Sequence, residues 1–187
     1  MMNEFRNPGM PSPTSPWLVP RPDGPKERPA SPVIRIKSNV IVEAWCPHSG
    51  DDSAGWPTLE NAERVSRKTV GNMVVNAGLN LVRDLLGGVA LRPDKIAVGT
   101  GTTATVAGDT ALGTETFRKL MARRIDAAQE ITFQMLMETT EGNGVTVWEI
   151  GTFQNETMLA RAVLSTGQVK NSGIQLTIAH QFTLADA

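Results

Sequence analysis

The sequence predicts a mainly β protein: an antiparallel β-sandwich with one packed α-helix, about residues 72–86, and an extended Pro-rich N-terminal arm. Three observations carry this. Apolar and polar residues alternate over several stretches of the second half, separated by short Gly/Asn turns. One segment has helical spacing instead. Nine of the twelve prolines crowd into residues 1–32, where neither a helix nor an internal strand can form. Successive strands joined by short turns, with one helix ahead of them, are the pattern of two packed antiparallel sheets.

The prolines of residues 1–32 dictate an extended, polyproline-like arm. Phe5, Trp17, Leu18 and Val19 supply apolar side chains that a purely solvated linker does not need. They are the expected partner contacts of the arm, and an already extended chain loses little entropy on docking. Residues 33–45 (VIRIKSNVIVEAW) read as one strand, or as two short ones broken at Ser38-Asn39. Residues 46–69 are polar and carry Pro47, Gly50, Gly55 and Pro57, so they read as a loop with a helical turn near residues 58–63. The chain thus divides into an arm (1–32), a strand and loop extension (33–69) and a sandwich domain (70–187).

Met73, Ala77, Leu81 and Leu85 recur every four residues, with Val74 and Leu86 widening the stripe, and Gly87-Gly88 provides the stop. Arg83 and Asp84 fall at the stripe's edge, on the solvent side. Lys95 to Phe117 (KIAVGTGTTATVAGDTALGTETF) starts as a strand and turns through a glycine–threonine run. It passes Asp109-Thr110-Ala111-Leu112 and re-enters a strand at Phe117. Asp109 or Thr110 caps a short turn there, and Leu112 plugs the sandwich.

Beyond it the period is two. Ile131, Phe133, Met135 and Met137 alternate with Thr132, Gln134, Leu136 and Glu138, and Gly142-Asn143-Gly144 turns the chain into Val145–Ile150. Met158–Leu164 alternates less cleanly, with Arg161 among apolar neighbours. The last strand sets Ile174, Leu176, Ile178, Phe182 and Leu184 against Gln175, Thr177, Gln181 and Thr183, with His180 in an inward position.

Composition narrows the function. Residues 1–68 hold nine basic and eight acidic side chains and residues 69–187 hold nine and eleven, so no basic field exists for nucleic acid. Cys46 is the single cysteine, which rules out an intrachain disulfide and a cysteine metal cage. The apolar runs are too short to span a membrane, and the opening MMNEFRNPGMP lacks the apolar core of a secretory signal. The expectation is a soluble protein assembled in a reducing compartment.

Catalytic motifs fare poorly. Gly99, Gly101 and Ala104 match G-x-G-x-x-A, but a dinucleotide site needs a long helix to open there. Thr105-Val106-Ala107-Gly108-Asp109 cannot begin one. Seven threonines and four glycines in residues 99–116 compose a turn and loop. Cys46-Pro47-His48 offers a thiol and an imidazole with only His180 besides, too few for a zinc site. His180 reads as a hydrogen-bonded core histidine. Glu138, Glu141 and Glu149 could form a carboxylate pair, but no aromatic groove accompanies them. No catalytic residue, cofactor or metal is expected.

Several runs carry a resemblance. Residues 76–84 (NAGLNLVRD) are similar to N-x-G-L-N-x-x-R-D, and residues 96–104 (IAVGTGTTA) to I-A-L-G-T-G-T-T-A. Asp109-Thr110-Ala111-Leu112 with Glu115 and Arg118-Lys119 follows D-T-A-L-x-x-E-x-x-R-K. Residues 148–153 (WEIGTF) resemble R-E-I-G-L-F, and residues 159–162 (LARA) resemble L-F-A-R-A. These patterns, in this order over residues 70–187, belong to a family of small tailed-bacteriophage virion structural proteins associated with tails, fibres, baseplates or necks. The resemblance implies a structural subunit without catalytic activity. Its partners would be other virion proteins and copies of itself, and it would assemble in the host cytoplasm. It also marks Glu115, Glu149, Arg118 and Arg161 as polar pairing residues. Trp148 stands where the pattern has arginine and Thr152 where it has an aliphatic residue, which makes Trp148 a further expected partner contact. A tail component is the first reading; a head-decoration or neck protein, or a receptor- or glycan-binding fibre module, are the alternatives.

Overall fold

A computed structural model of the chain describes residues 34–48, 55–90 and 92–186. The arm, with Phe5, Trp17, Leu18 and Val19, lies outside the described residues. Two five-stranded antiparallel sheets form the fold, as the alternating pattern predicts.

The first sheet is built from β1 (Ile34–Pro47), β2 (Ala62–Gly71), β6 (Arg123–Ala127), β7 (Glu130–Met137) and β10 (Gln175–Asp186), in the order β2-β1-β10-β7-β6. The second comprises β3 (Met73–Val74), β4 (Lys95–Gly99), β5 (Glu115–Leu120), β8 (Val145–Gln154) and β9 (Thr157–Lys170), in the order β3-β9-β8-β4-β5. Between them Val40, Val42, Phe133, Met135, Leu176 and Ile178 of the first sheet pack on Ile96, Val98, Val147, Ile150, Ala162 and Leu164 of the second. Removing these side chains from water is the main force holding the sheets together.

β1 and β2, expected as part of an extension, are strands of the sandwich itself. β1 lies between β2 and β10 and pairs with β10 from Ile34↔Asp186 to Trp45↔Gln175. It is also unbroken at Ser38-Asn39, because Ser38 occupies an inward position two residues before Val40 and finds a polar partner there. β2 was hidden in the polar loop reading. Its sequence AERVSRKTVG is an edge strand with water on much of both faces, so it shows no apolar alternation. β6 (RRIDA) escapes notice for the same reason.

The helix α1 spans Asn76–Leu86 and begins four residues later than the expected start near residue 72, since Met73 and Val74 pair with Arg161 and Ala160 as β3. Its first turn has no side-chain cap; Ala107 O accepts the Asn76 N–H at 2.8 Å instead. Leu81 is buried, whereas Leu86 is exposed. Arg83 and Asp84 pair with each other in solvent, as expected. Gly88 takes the left-handed conformation that stops the helix, φ 70°. Gly78 allows the helix to touch β9: a Cβ there would overlap the carbonyl of Leu159.

Candidate functional site

Val147 and Ile150 both enter the inter-sheet core, although strict alternation would send one outward. The β8–β9 pairing accommodates this by shifting register between Val147↔Gln168 and Glu149↔Val163. The irregularity turns Glu149 to the outer face of the second sheet. Arg161, across on β9 opposite Gly151, shares that face.

Residues 100–114 fold over both. Glu149 Oε1 accepts backbone N–H groups from Gly101 at 2.9 Å and Thr114 at 2.7 Å; Oε2 accepts Gly113 N–H at 2.9 Å. Arg161 donates to Oε2 from Nε at 3.0 Å and Nη2 at 2.7 Å. Its Nη1 donates to Asp109 Oδ2 at 2.8 Å and its Nη2 to Thr103 O at 3.2 Å. Asp109 also accepts the Val106 N–H at 3.1 Å, closing the local turn. Glycine is needed at 101 because a Cβ would overlap the Glu149 carboxylate. Leu112 is buried, as expected, but not inside the sandwich. It packs with Ala97, Phe153, Met158 and Val75 on the outer face of the second sheet.

Burial alone would push the Glu149 carboxyl up, but donors from Thr114, Gly113, Arg161 and Gly101 outweigh it and hold it below the usual carboxylate range. Asp109 is likewise held low, with burial opposed by Arg161 and the Val106 N–H. Burial would lower the Arg161 guanidinium, yet Asp109 and Glu149 hold it above its ordinary value. Glu149 therefore stays ionised with five donors around it. This is a clamp for a loop rather than an acid–base pair.

A second polar cluster sits between the sheets. His180 of β10 is fully buried, with Thr152 Oγ1 of β8 beside Nδ1 and Asn72 Nδ2 and Ser38 Oγ beside Nε2. Asn72 Oδ1 is buried without a partner. Desolvation pushes the imidazole down to about 3, so it is neutral at physiological pH. Neutral imidazole offers one donor and one acceptor, which suits a hydroxyl on one side and an amide on the other. Thr152, the departure from the aliphatic pattern, is thereby matched to His180.

The turn after β7 holds a third cluster. Buried Lys170 donates to Asn143 Oδ1 at 2.8 Å, Asn171 O at 2.9 Å and Thr139 O at 3.4 Å. Glu141 pairs with Lys119 at 2.8 Å and accepts the Glu138 N–H, while Glu138 accepts from Gln175. Glu138, Glu141 and Glu149 are thus each bound to internal donors.

Of the other expected residues, Trp148 is half-buried and its indole covers Gly167 on β9, where a Cβ would come within 2.7 Å of the ring. Cys46 and His48 are exposed. Glu115 pairs with Arg118 at 2.8 Å, and the Arg118 guanidinium lies 4.0 Å from the Phe153 ring centre. Sequence reasoning missed Asn72, Lys170 and the stacking of Arg123 on Trp56 at 4.4 Å. A lone buried lysine among turn carbonyls leaves no periodic signal. Asn72, one residue before the apolar stripe, could have been read as a polar break between strands.

Near the Arg123–Trp56 stack, Arg92, Asp94, Leu120, Arg124 and Phe133 line a cleft of about 320 Å³. Among the described residues no cluster of His, Cys, Asp and Glu could hold a metal ion, and no helix is long and apolar enough to cross a membrane. No protein-family model, curated protein or solved structure matches the chain.

Proposed function

We propose that this chain is a structural subunit of a tailed-phage virion, first of all a tail component of the fibre-attachment, baseplate or collar kind, assembling through protein–protein contacts. The carrying observation is the ordered set of motifs over residues 76–162. Their polar members meet in space: Asp109, Glu149 and Arg161 come from three separate motifs and bind one another. The motif residues thus sustain a rigid loop, as a structural part requires. The loop presents Thr102, Thr103, Ala104, Val106, Ala107 and Thr110 to solvent without a charge among them, a surface suited to a protein neighbour. The arm, with Phe5, Trp17, Leu18 and Val19, is the proposed tether to other subunits, and Trp148 a further contact.

Separating tails from heads after lysis and identifying the chain by mass spectrometry tests the reading. Recovery with head-free tails supports it, and recovery with heads alone replaces it with a head-decoration or neck role. Deleting residues 1–32 should abolish incorporation into particles. If the truncated chain instead binds host cells or glycans, it is a fibre binding module.

A further inference from the structure

The two sheets expose four edges among the described residues: β2 and β6 on the first, β3 and β5 on the second. Edges are usually blunted by bulges, brevity or charge. The β1–β2 and β4–β5 pairings both shift register, and β3 has two residues. β6 differs. Its pairing with β7 runs without a shift from Arg123↔Gln134 to Ala127↔Glu130, and all five of its residues are exposed.

We infer that β6 pairs antiparallel with β6 of a second copy of this chain, about a two-fold axis through Ile125. A two-fold axis normal to the sheet sets residues of equal parity opposite one another, so only registers centred on a residue are allowed. Centred on Arg124, the strands oppose two arginines. Centred on Asp126, they oppose two aspartates. Like charges directly opposite are unfavourable. Centred on Ile125, they place Arg124 opposite Asp126 twice and Ile125, itself 49% exposed, opposite its own copy. Arg123, stacked on Trp56, then faces only the small Ala127.

Within one chain Arg124 and Asp126 pair at 2.8 Å, both about half exposed, so no charge waits unpaired in the monomer. The charges select the register and the partner, while the backbone ladder and Ile125 burial supply the attraction. A charged edge ordinarily repels other strands; this one admits its own antiparallel copy. Five residue pairs make a weak interface, strengthened where many copies are held together. The inference deepens the subunit role proposed above and rests on it only in expecting self-assembly. Tested on purified chain, its failure leaves the particle fractionation result untouched.

The experiment uses the full chain carrying Cys46→Ser. Directly opposite residues on antiparallel strands have Cα atoms about 4.5–5.5 Å apart, within disulfide reach. Under a glutathione redox buffer, Ile125→Cys should yield a disulfide-linked dimer at least about ten-fold faster than Thr116→Cys on the β5 edge. Adding Asp126→Arg should slow trapping several-fold, and the swap Arg124→Asp with Asp126→Arg should restore it. Equal trapping at both edges, or indifference to Asp126→Arg, overturns the inference. Sedimentation velocity provides an arm without engineered thiols. Concentration-dependent dimerisation of the unaltered chain should vanish in Ile125→Lys, and its persistence there would also overturn it.

Discussion

Arg161 and Glu149 sit diagonally across β8 and β9, and the guanidinium grips one carboxylate oxygen twice, from Nε at 3.0 Å and Nη2 at 2.7 Å. Both side chains are almost wholly removed from water. Breaking such a pair leaves a buried charge without compensation. Arg161→Met should therefore destabilise the fold by about 3–5 kcal/mol, and Glu149→Gln by a similar amount. The double variant should lose less than the sum. Urea unfolding of the three variants measures the coupling, and additive losses would show that the pair does not act as a unit.

The same clamp governs residues 100–114. In Glu149→Gln the amide N–H groups of Gly101, Gly113 and Thr114 face a weaker acceptor and should exchange with solvent faster than in the unaltered chain. The change should be confined to the loop if the sheets remain paired. Hydrogen exchange read by mass spectrometry distinguishes local opening from global loss.

Helix docking depends on one missing methyl. Gly78→Ala would drive a Cβ into the Leu159 carbonyl, and overpacking of this kind costs about 1–3 kcal/mol. Gly108→Ala, with open space around it, should be close to neutral. Thermal melts of the pair check this, and equal midpoints would mean that the helix moves freely on β9.

Acid should weaken the protein through His180. Its folded pKa of about 3 lies below the ordinary 6.5, so the unfolded chain binds the proton and the folded one does not. The stability is fully present above about pH 6.5 and falls as pH drops toward 3, by roughly 2 kcal/mol between pH 7.5 and 5 for this group. Below about pH 4.5 Glu149, whose folded pKa is also depressed, adds to the loss as it is protonated. Urea midpoints across pH 5–7.5 should slope in the unaltered chain and flatten in His180→Gln.

Much of the architecture could be read in one dimension because half-buried strands and amphipathic helices write their period into the chain. Leu176, Ile178, His180 and Phe182 all point inward as alternation requires. β2 and β6 could not be read this way, since an edge strand with two wet faces carries no apolar period. Nor could the start of the helix, where Met73 keeps the helical spacing while its backbone pairs with β9.

By itself the sequence determined two antiparallel sheets with a single helix, an inward His180 and a glycine–threonine turn after the strand that begins at Lys95. Those properties depend on local period, turn residues and composition. Only the tertiary structure decided that β1 and β2 belong to the sandwich, that Leu112 covers its outer face and that Asp109, Glu149 and Arg161 converge. These are contacts between residues far apart in the chain, 52 positions for Asp109 and Arg161 and more than twice that for β1 and β10. Their partners are chosen by sheet register and by the bulge beside Trp148, and no local pattern encodes either.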